Sequence, residues 1–428
     1  GDIFTDSETK VYRGFADVGM QKTLRMDART KAHLQNIVID DEGKYLYGSY
    51  GYHIIKVEIE TGKTSAVHMW NDANSHGGAV AYHNGYVYMS IIRNMTYDAL
   101  TEDIQTLPNV YLARVRADSF PDERATTNTI KTPFKSAAEA EVEVAYVGAP
   151  IVALSSQAYE KNGEKAWPVG GKYGVTNFMD GITFGPKMGG QDDDKTYFTI
   201  ALETTCKSVS FYEFADGSKI STASRGDANN IVFGQIDAAD IDNWGWVSMQ
   251  KFLDNHKETD GHKLLTAIPA VAATKEFDNI AFFECGNLDW GLQGLTYDKY
   301  LDVYLCASYG GADDDGLGGG TEYTGFSTFA VDPRSAETES VVPGTNDNGY
   351  VLKAKYGRMG NKGVVGMNQY WATAIASVGN GYYYTYYRQG NNPDNNGFAY
   401  DIVRLEKFCL TPNTCFSVPK EGSMMKPV

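Results

Sequence analysis

The 428-residue sequence predicts an all-β protein, and three observations carry that prediction. Tyr, Val, Ile, Thr and Gly are abundant, with 29 Tyr and 45 Gly, where a helical chain would show long runs of Ala, Glu, Leu, Lys and Arg. Short apolar or alternating runs of strand length are bounded by Gly, Asn, Asp and Pro. A meander pattern, spanning about 40 residues where it is most compact, recurs along the chain.

The first copy opens at His33: HLQNIVID, a DEGK turn, YLYGSYG, HIIKVEIE, a TGK turn and TSAVHMW read as four strands. HGGAVAY, YVYMSII and, after an insertion, VYLARVRAD make the second copy, with EVEVAYV as its fourth strand. The third runs MDGITFGP, TYFTIALET and IVFGQIDA, with WVSMQKFL as an outer strand. LQGLTYDKYLDVYLCASY and GFSTFAVDP form the fourth, and ATAIASVGNGYYYTYYRQG with AYDIVRLEKF the fifth. One such unit cannot bury both faces, whereas copies packed face to face in a ring can. The expectation is therefore a single β-propeller over residues 1–428, with five blades starting near residues 33, 76, 178, 291 and 371. Uneven spacing keeps six or seven blades as the alternative, with IVALSSQAY and DNIAFFEC as strands for them. QKTLRMDARTKAH resembles GKTSAVHMWNDANSH, the outer strand of blade one and its exit, so residues 22–27 are expected to complete the last blade and close the ring. KNGEKAWPVGGKYG, GQDDDK, GGADDDGLGGG and RQGNNPDNNG read as surface loops.

A formal charge of -16 repels phosphate backbones and anionic lipid, which argues against nucleic acid as a partner. No apolar run reaches the about 18–20 residues that span a bilayer. The chain opens on polar GDIFTDSETK, which suits a mature form from which a secretory signal has been removed and leaves a secreted or periplasmic location open. Cys206, Cys285 and Cys306 lie in apolar strand-like segments and read as buried free thiols, whereas Cys409 and Cys415 bracket a short loop that either closes a disulfide or does not.

Aligning the first strands puts Gln35, Gly78, Asp180, Gln293 and Thr373 in one column and His33, His76, Phe178, Gly291 and Trp371 two residues earlier. Residues i and i+2 share a strand face, so both columns are expected at the channel mouth. The candidate ligand-binding set is His33, Gln35, His76, Asp180, Gln293, Trp371 and Thr373. Within it His33, His76, Asp180 and Gln293 offer imidazole, carboxylate and amide donors for a divalent ion such as Ca, Mn or Zn. The competing reading is that these groups bond to backbone and trapped water and hold no ligand. Tyr50, Tyr52, Trp70, Trp167, Trp290, Tyr309 and Trp371 are candidate stacking surfaces for sugar rings, against a packing role between blades. The triplets Asp192-Asp193-Asp194 and Asp313-Asp314-Asp315 lack the spacing of an EF-hand loop and read as solvated. Serine-hydrolase, P-loop, zincin and paired C-x-x-C motifs are missing from the sequence.

HLQNIVIDDEGKYLYGSYG, MDGITFGP, WGLQGLTYD and ATAIASVGNGYYYTYY together resemble the opening phrases of blades in a group of uncharacterised, exported bacterial β-propeller proteins. The resemblance covers residues 30–405 and implies fold and strand order, with no established activity. A looser similarity, by residue type only, links the His and Gln residues to metal-dependent oligogalacturonate lyases, from which Asp180 and the five-fold repeat depart. The function expected first is binding of a small polar molecule, a carbohydrate or other glycan, at the channel mouth. Metal-dependent polysaccharide lyase or glycoside hydrolase activity is the second reading, and a protein-interaction scaffold the third.

Overall fold

A computed structural model describes residues 20–27, 33–69, 75–93, 110–123, 132–146, 159–161, 164–166, 179–203, 230–251, 276–285, 292–308, 327–336, 338–342, 347–356, 358–359, 364–365, 367–368, 374–392 and 397–405. Each compact meander begins where a turn is chemically specified. In the first, Gly43 takes φ 70° while the Asp40 carboxylate accepts from the backbone N–H of Lys44 (2.8 Å) and Tyr45 (3.2 Å). That closes the hairpin between Leu34–Ile39 and Tyr45–Tyr50.

Five sheets contain four or more strands. The first takes Leu34–Ile39, Tyr45–Tyr50, His53–Glu58 and Thr64–His68, from inside outward. The second takes Ser75–His83, Tyr86–Arg93, Val110–Arg116 and Glu143–Tyr146, and the third Met179–Gly185, Tyr197–Glu203, Asn230–Asp237 and Asn279–Glu284. Leu292–Asp298, Val303–Ser308, Ser327–Asp332 and Lys353–Tyr356 form the fourth. Ala376–Ser377, Tyr383–Asn392 and Gly397–Leu405 form the fifth, and Met20–Asp27 completes it antiparallel to Gly397–Leu405, from Met20 opposite Leu405 to Asp27 opposite Ala399. The first strands of consecutive sheets lie side by side, and that of the fifth returns to that of the first. The chain is thus an all-β, single β-propeller.

Alternation within the middle strands drives the packing, because each sheet is covered on both faces. In the first sheet Leu46 and Tyr50 face the fifth, among Tyr384, Tyr386, Tyr400 and Ile402, while Tyr47 faces the second, among Val80, Val87 and Met89. Phe198, Ile200 and Val232 of the third sheet meet Ala81, Tyr88 and Leu112 of the second. Ile231 and Phe233 meet Leu295, Tyr304 and Phe329 of the fourth. Large side chains buried this way contribute about 1.5–3 kcal/mol each. The joint between the fourth and fifth sheets differs. There the fully buried Asp298 accepts from Ser377 Oγ (2.7 Å), from the Tyr383 hydroxyl and from Tyr300 N–H (3.1 Å).

The outer edges are covered by donated strands. The connection between the third and fourth strands of the second sheet sends Phe134–Lys135 back to pair with Thr64–His68. The same connection in the third sheet sends Val247–Ser248 to Glu143–Val144, and in the fourth it sends Asn348–Val351 to Asn279–Glu284. Each donation fills backbone hydrogen bonds that an exposed edge would leave open.

Several sequence expectations are corrected here. WVSMQKFL does not edge its own sheet, since Val247–Ser248 serves the second. DNIAFFEC supplies no further blade, because Asn279–Glu284 is the fourth strand of the third sheet. RQGNN is not loop but the end of Tyr383–Asn392, which pairs with Gly397–Leu405 as far as Asn392 opposite Gly397. KNGEKAW is not wholly loop, since its Lys161 ends the strand Tyr159–Lys161, which pairs antiparallel with Glu164–Ala166. IVALSSQAY lies outside the described residues except for Tyr159, as do Cys206, Cys409 and Cys415. Cys285 and Cys306 are buried thiols outside any disulfide, and burial pushes the pKa of Cys306 up. No helix among the described residues is long and apolar enough to cross a membrane.

Candidate functional site

Four first strands carry a β-bulge at equivalent positions. Leu34 and Asn36 face consecutive residues Tyr50 and Ser49, so Gln35 is extra. Asp180 is extra between Met179 and Gly181, and Gln293 between Leu292 and Gly294. In the second sheet the register passes from Gly77 opposite Ile91 to Val80 opposite Met89, a gap that contains Gly78. A bulge bends its strand and re-aims the inserted residue. The column read as the channel lining is thus a column of insertions, and strict i, i+2 alternation does not run through it.

The bulge carbonyls are bonded from inside the protein. Tyr386 donates its hydroxyl to the carbonyls of Leu34 (3.4 Å) and Gln35 (3.3 Å), and Ser49 Oγ donates to that of Gly78 (2.7 Å). Thr385 Oγ1 donates to Ala374 O at 3.2 Å, and Ser90 Oγ accepts from Ala79 N–H at 2.9 Å. Hydroxyls on second strands thereby satisfy backbone groups that the bulges release.

Asn36, absent from the sequence-derived set, decides the shape of the centre. It follows the bulge residue, where the other copies place Ala79, Gly181, Gly294 and Ala374. A Cβ at Gly181 would lie 2.9 Å from Leu295 Cβ, so the strands close in at this level. The buried Asn36 side chain donates through Nδ2 to the carbonyl of Gln293 at 3.4 Å, joining the first sheet to the fourth. Its Oδ1 accepts from Ile37 N–H at 2.8 Å. The first and fourth sheets are not ring neighbours, so this amide links first strands across the centre of the ring. A polar residue in a column of small ones is the signal that marks Asn36 in the sequence.

His33 is exposed at the start of its strand. Tyr400 accepts from Leu34 N–H (3.3 Å) and has its hydroxyl 3.4 Å from His33 Nδ1. Gln35 and Gln293 are half-buried, and the Asn36 bridge brings their two strands together. His76 pairs with Ile92 through its backbone, and Asp180 occupies its bulge; the side chains of both lie outside the described residues. Trp371 and Thr373 lie outside them altogether. Among the described residues no group of three His, Cys, Asp or Glu side chains is placed to hold a metal ion.

Of the proposed stacking aromatics, Tyr50 is fully buried, in contact with His53 (5.7 Å between ring centres) and Tyr400 (6.3 Å), and belongs to the core. Tyr52 meets His53 and His68 edge-on. Trp70, Trp167, Trp290 and Tyr309 lie outside the described residues. In the Asp192–Asp194 triplet, Asp192 Oδ1 accepts from Asp194 N–H and its Oδ2 pairs with Arg334, which also pairs with Asp302 at 2.6 Å. That triplet is therefore a turn and an ion-pair anchor between the third and fourth sheets. Asp313–Asp315 lie outside the described residues.

No known family profile matches the chain, and no curated protein matches it. Among solved structures it is similar to Bacteroides ovatus Xyloglucan PUL GH43B, at 11% identity over 94% of this chain and 58% of that one, TM-score 0.37. It is similar to the Myceliophteria thermophila Cps50 (Swd1) β-propeller domain, at 6% identity over 88% and 98%, TM-score 0.28. A protein of unknown function from Dyadobacter fermentans matches at 9% identity over 91% and 100%, TM-score 0.31. At these values the fold rests on the sheet geometry, and no activity follows from the likeness.

Proposed function

We propose that this propeller acts as a binding module for a neutral, polyhydroxylated ligand, a carbohydrate, seated at the channel mouth. The observation that supports this reading is the recurrent bulge, in which Gln35, Asp180 and Gln293 are each the extra residue of a first strand. Amides and a carboxylate supply both donors and acceptors, which suits sugar hydroxyls. The bulge carbonyls of Gln35, Gly78 and Gln293 already accept hydrogen bonds from side chains, so the ligand is met by side chains rather than by a backbone cage. Export of the chain is part of the proposal and rests on its resemblance to exported bacterial propellers.

The test is a glycan array followed by calorimetry on the best binder. Gln35→Ala and Gln293→Ala are expected to weaken binding at least about tenfold each, the scale of one lost buried hydrogen bond, without shifting the melting temperature. Binding that both substitutions leave intact, or an array without a hit, would sink the reading, and protein capture insensitive to both would favour a scaffold.

A further inference from the structure

The three donated strips follow one rule. Each comes from the next sheet in the ring, out of the chain that joins that sheet's third strand to its fourth. The strip begins 18 residues after Arg116 in the second sheet, 10 after Asp237 in the third and 16 after Asp332 in the fourth. The first sheet has no chain to give. Its third and fourth strands are joined by a tight turn, in which Gly62 N–H donates to Glu58 O at 2.7 Å and Glu58 N–H to Lys63 O at 2.9 Å. Donors are therefore the second to fifth sheets, and receivers the first to fourth.

The fifth sheet is the remaining donor and the fourth the remaining receiver. In the fifth, the third strand is Gly397–Leu405 and the fourth is Met20–Asp27, so the third–fourth connection is divided between residues 406–428 and residues 1–19. The strip has to follow the third strand by the same reach. Counted from Leu405, a reach of 10–18 residues falls on residues 415–423, which lie outside the described residues. That window opens on Cys415-Phe416-Ser417-Val418, an apolar run with an aromatic and a β-branched residue on one face of an extended chain, and Pro419 ends it. The rest, Lys420-Glu421-Gly422-Ser423, is charged, polar or glycine. The existing strips are two to four residues long, so a run of this length suffices.

The receiving strand is Lys353–Tyr356. It pairs on its inner side with Ser327–Asp332, through Lys353, Ala354 and Tyr356, and among the described residues no strand lies on its other side. An extended edge is a template for pairing with any chain, and a tethered segment outcompetes a free one because its effective concentration is about millimolar.

We propose that residues 416–418 pair with Lys353–Tyr356 as the fourth donated strip. The rule, the reach and the tether select this occupant over a second copy of the chain. The inference is independent of any ligand at the channel mouth.

Hydrogen exchange at the amides of Lys353–Tyr356 is measured by mass spectrometry on the full chain, on Ser417→Pro and on a chain lacking residues 406–428. Proline removes a strand donor without shortening the chain. Both altered chains are expected to exchange at Lys353–Tyr356 at least about tenfold faster than the parent, while Thr64–His68, whose strip is Phe134–Lys135, keeps its rate. Gly422→Pro is expected to leave the rate unchanged. A peptide of residues 406–428, added in trans, is expected to restore slow exchange to the shortened chain. The proposal is overturned if Lys353–Tyr356 keeps the parent rate in both altered chains, or if both edges speed up equally and the peptide restores neither. Protection of the parent that is lost on dilution would assign the edge to a second copy, and the same effect on removing residues 1–19 in place of 406–428 would assign the strip to the other half of the divided connection; either result overturns it.

Discussion

His83 ends the first strand of the second sheet and stacks on Phe184 of the third, with ring centres 4.2 Å apart and planes 6° from parallel. Burial lowers its pKa from 6.5, and the nearby Asp41 and Asp242 only partly oppose that shift. Above the unfolded value both states are neutral at this ring, and the group contributes nothing to the pH dependence. As pH falls through about 6.5 the unfolded chain takes up a proton that the folded chain refuses, so stability drops until the folded pKa is reached. Thermal melts from neutral to about pH 5 are therefore expected to fall more steeply for the parent than for His83→Phe, which keeps the stack and removes the titration. Parallel melting curves for the two proteins would contradict this assignment.

At the scale of elements, the strands were legible in the sequence because an apolar run bounded by turn residues says nearly all that a meander strand requires. HLQNIVID, YLYGSYG and HIIKVEIE correspond to Leu34–Ile39, Tyr45–Tyr50 and His53–Glu58. The bulges were not legible, because an inserted residue exists only relative to a partner strand. Gln35 and Gln293 could be picked out as polar exceptions, but the shift in register could not. Two-residue strands such as Phe134–Lys135 carry no period at all, and their partner is remote in the chain. The role of Asn36 depends on strands meeting across an axis. Asp298 shows the same limit: it ends a strand as a turn carboxylate, as Asp40 does, yet it also joins the fourth sheet to the fifth. Asp298→Ala removes the acceptor of the buried Tyr383 hydroxyl and of the half-buried Ser377 hydroxyl and is expected to cost about 3 kcal/mol, with Asp298→Asn costing less because one acceptor oxygen remains. Chemical denaturation that places the alanine variant within about 1 kcal/mol of the parent would show that this joint is held elsewhere.

The whole molecule closes through a strand from the opposite end of the chain. Met20–Asp27 covers the edge of Gly397–Leu405, and without it the fifth sheet would present a row of unpaired backbone groups. Removal of residues 1–27 is expected to lower the melting temperature and to produce concentration-dependent association, measured by light scattering. A synthetic peptide spanning residues 20–27, added in trans, is expected to reverse the association. A truncated chain that stays monomeric with an unchanged melt would mean that closure does not depend on this strand.

The donated edge strands constrain how such a ring can be enlarged or shortened in evolution or by engineering. The strips on the outer edges of the first three sheets are cut from the chain of the sheet that follows each one. A recombination breakpoint placed between two sheets would strip one edge and carry away a strip with no edge to cover. The exchangeable module therefore runs from one third–fourth connection to the next, out of phase with the sheets themselves.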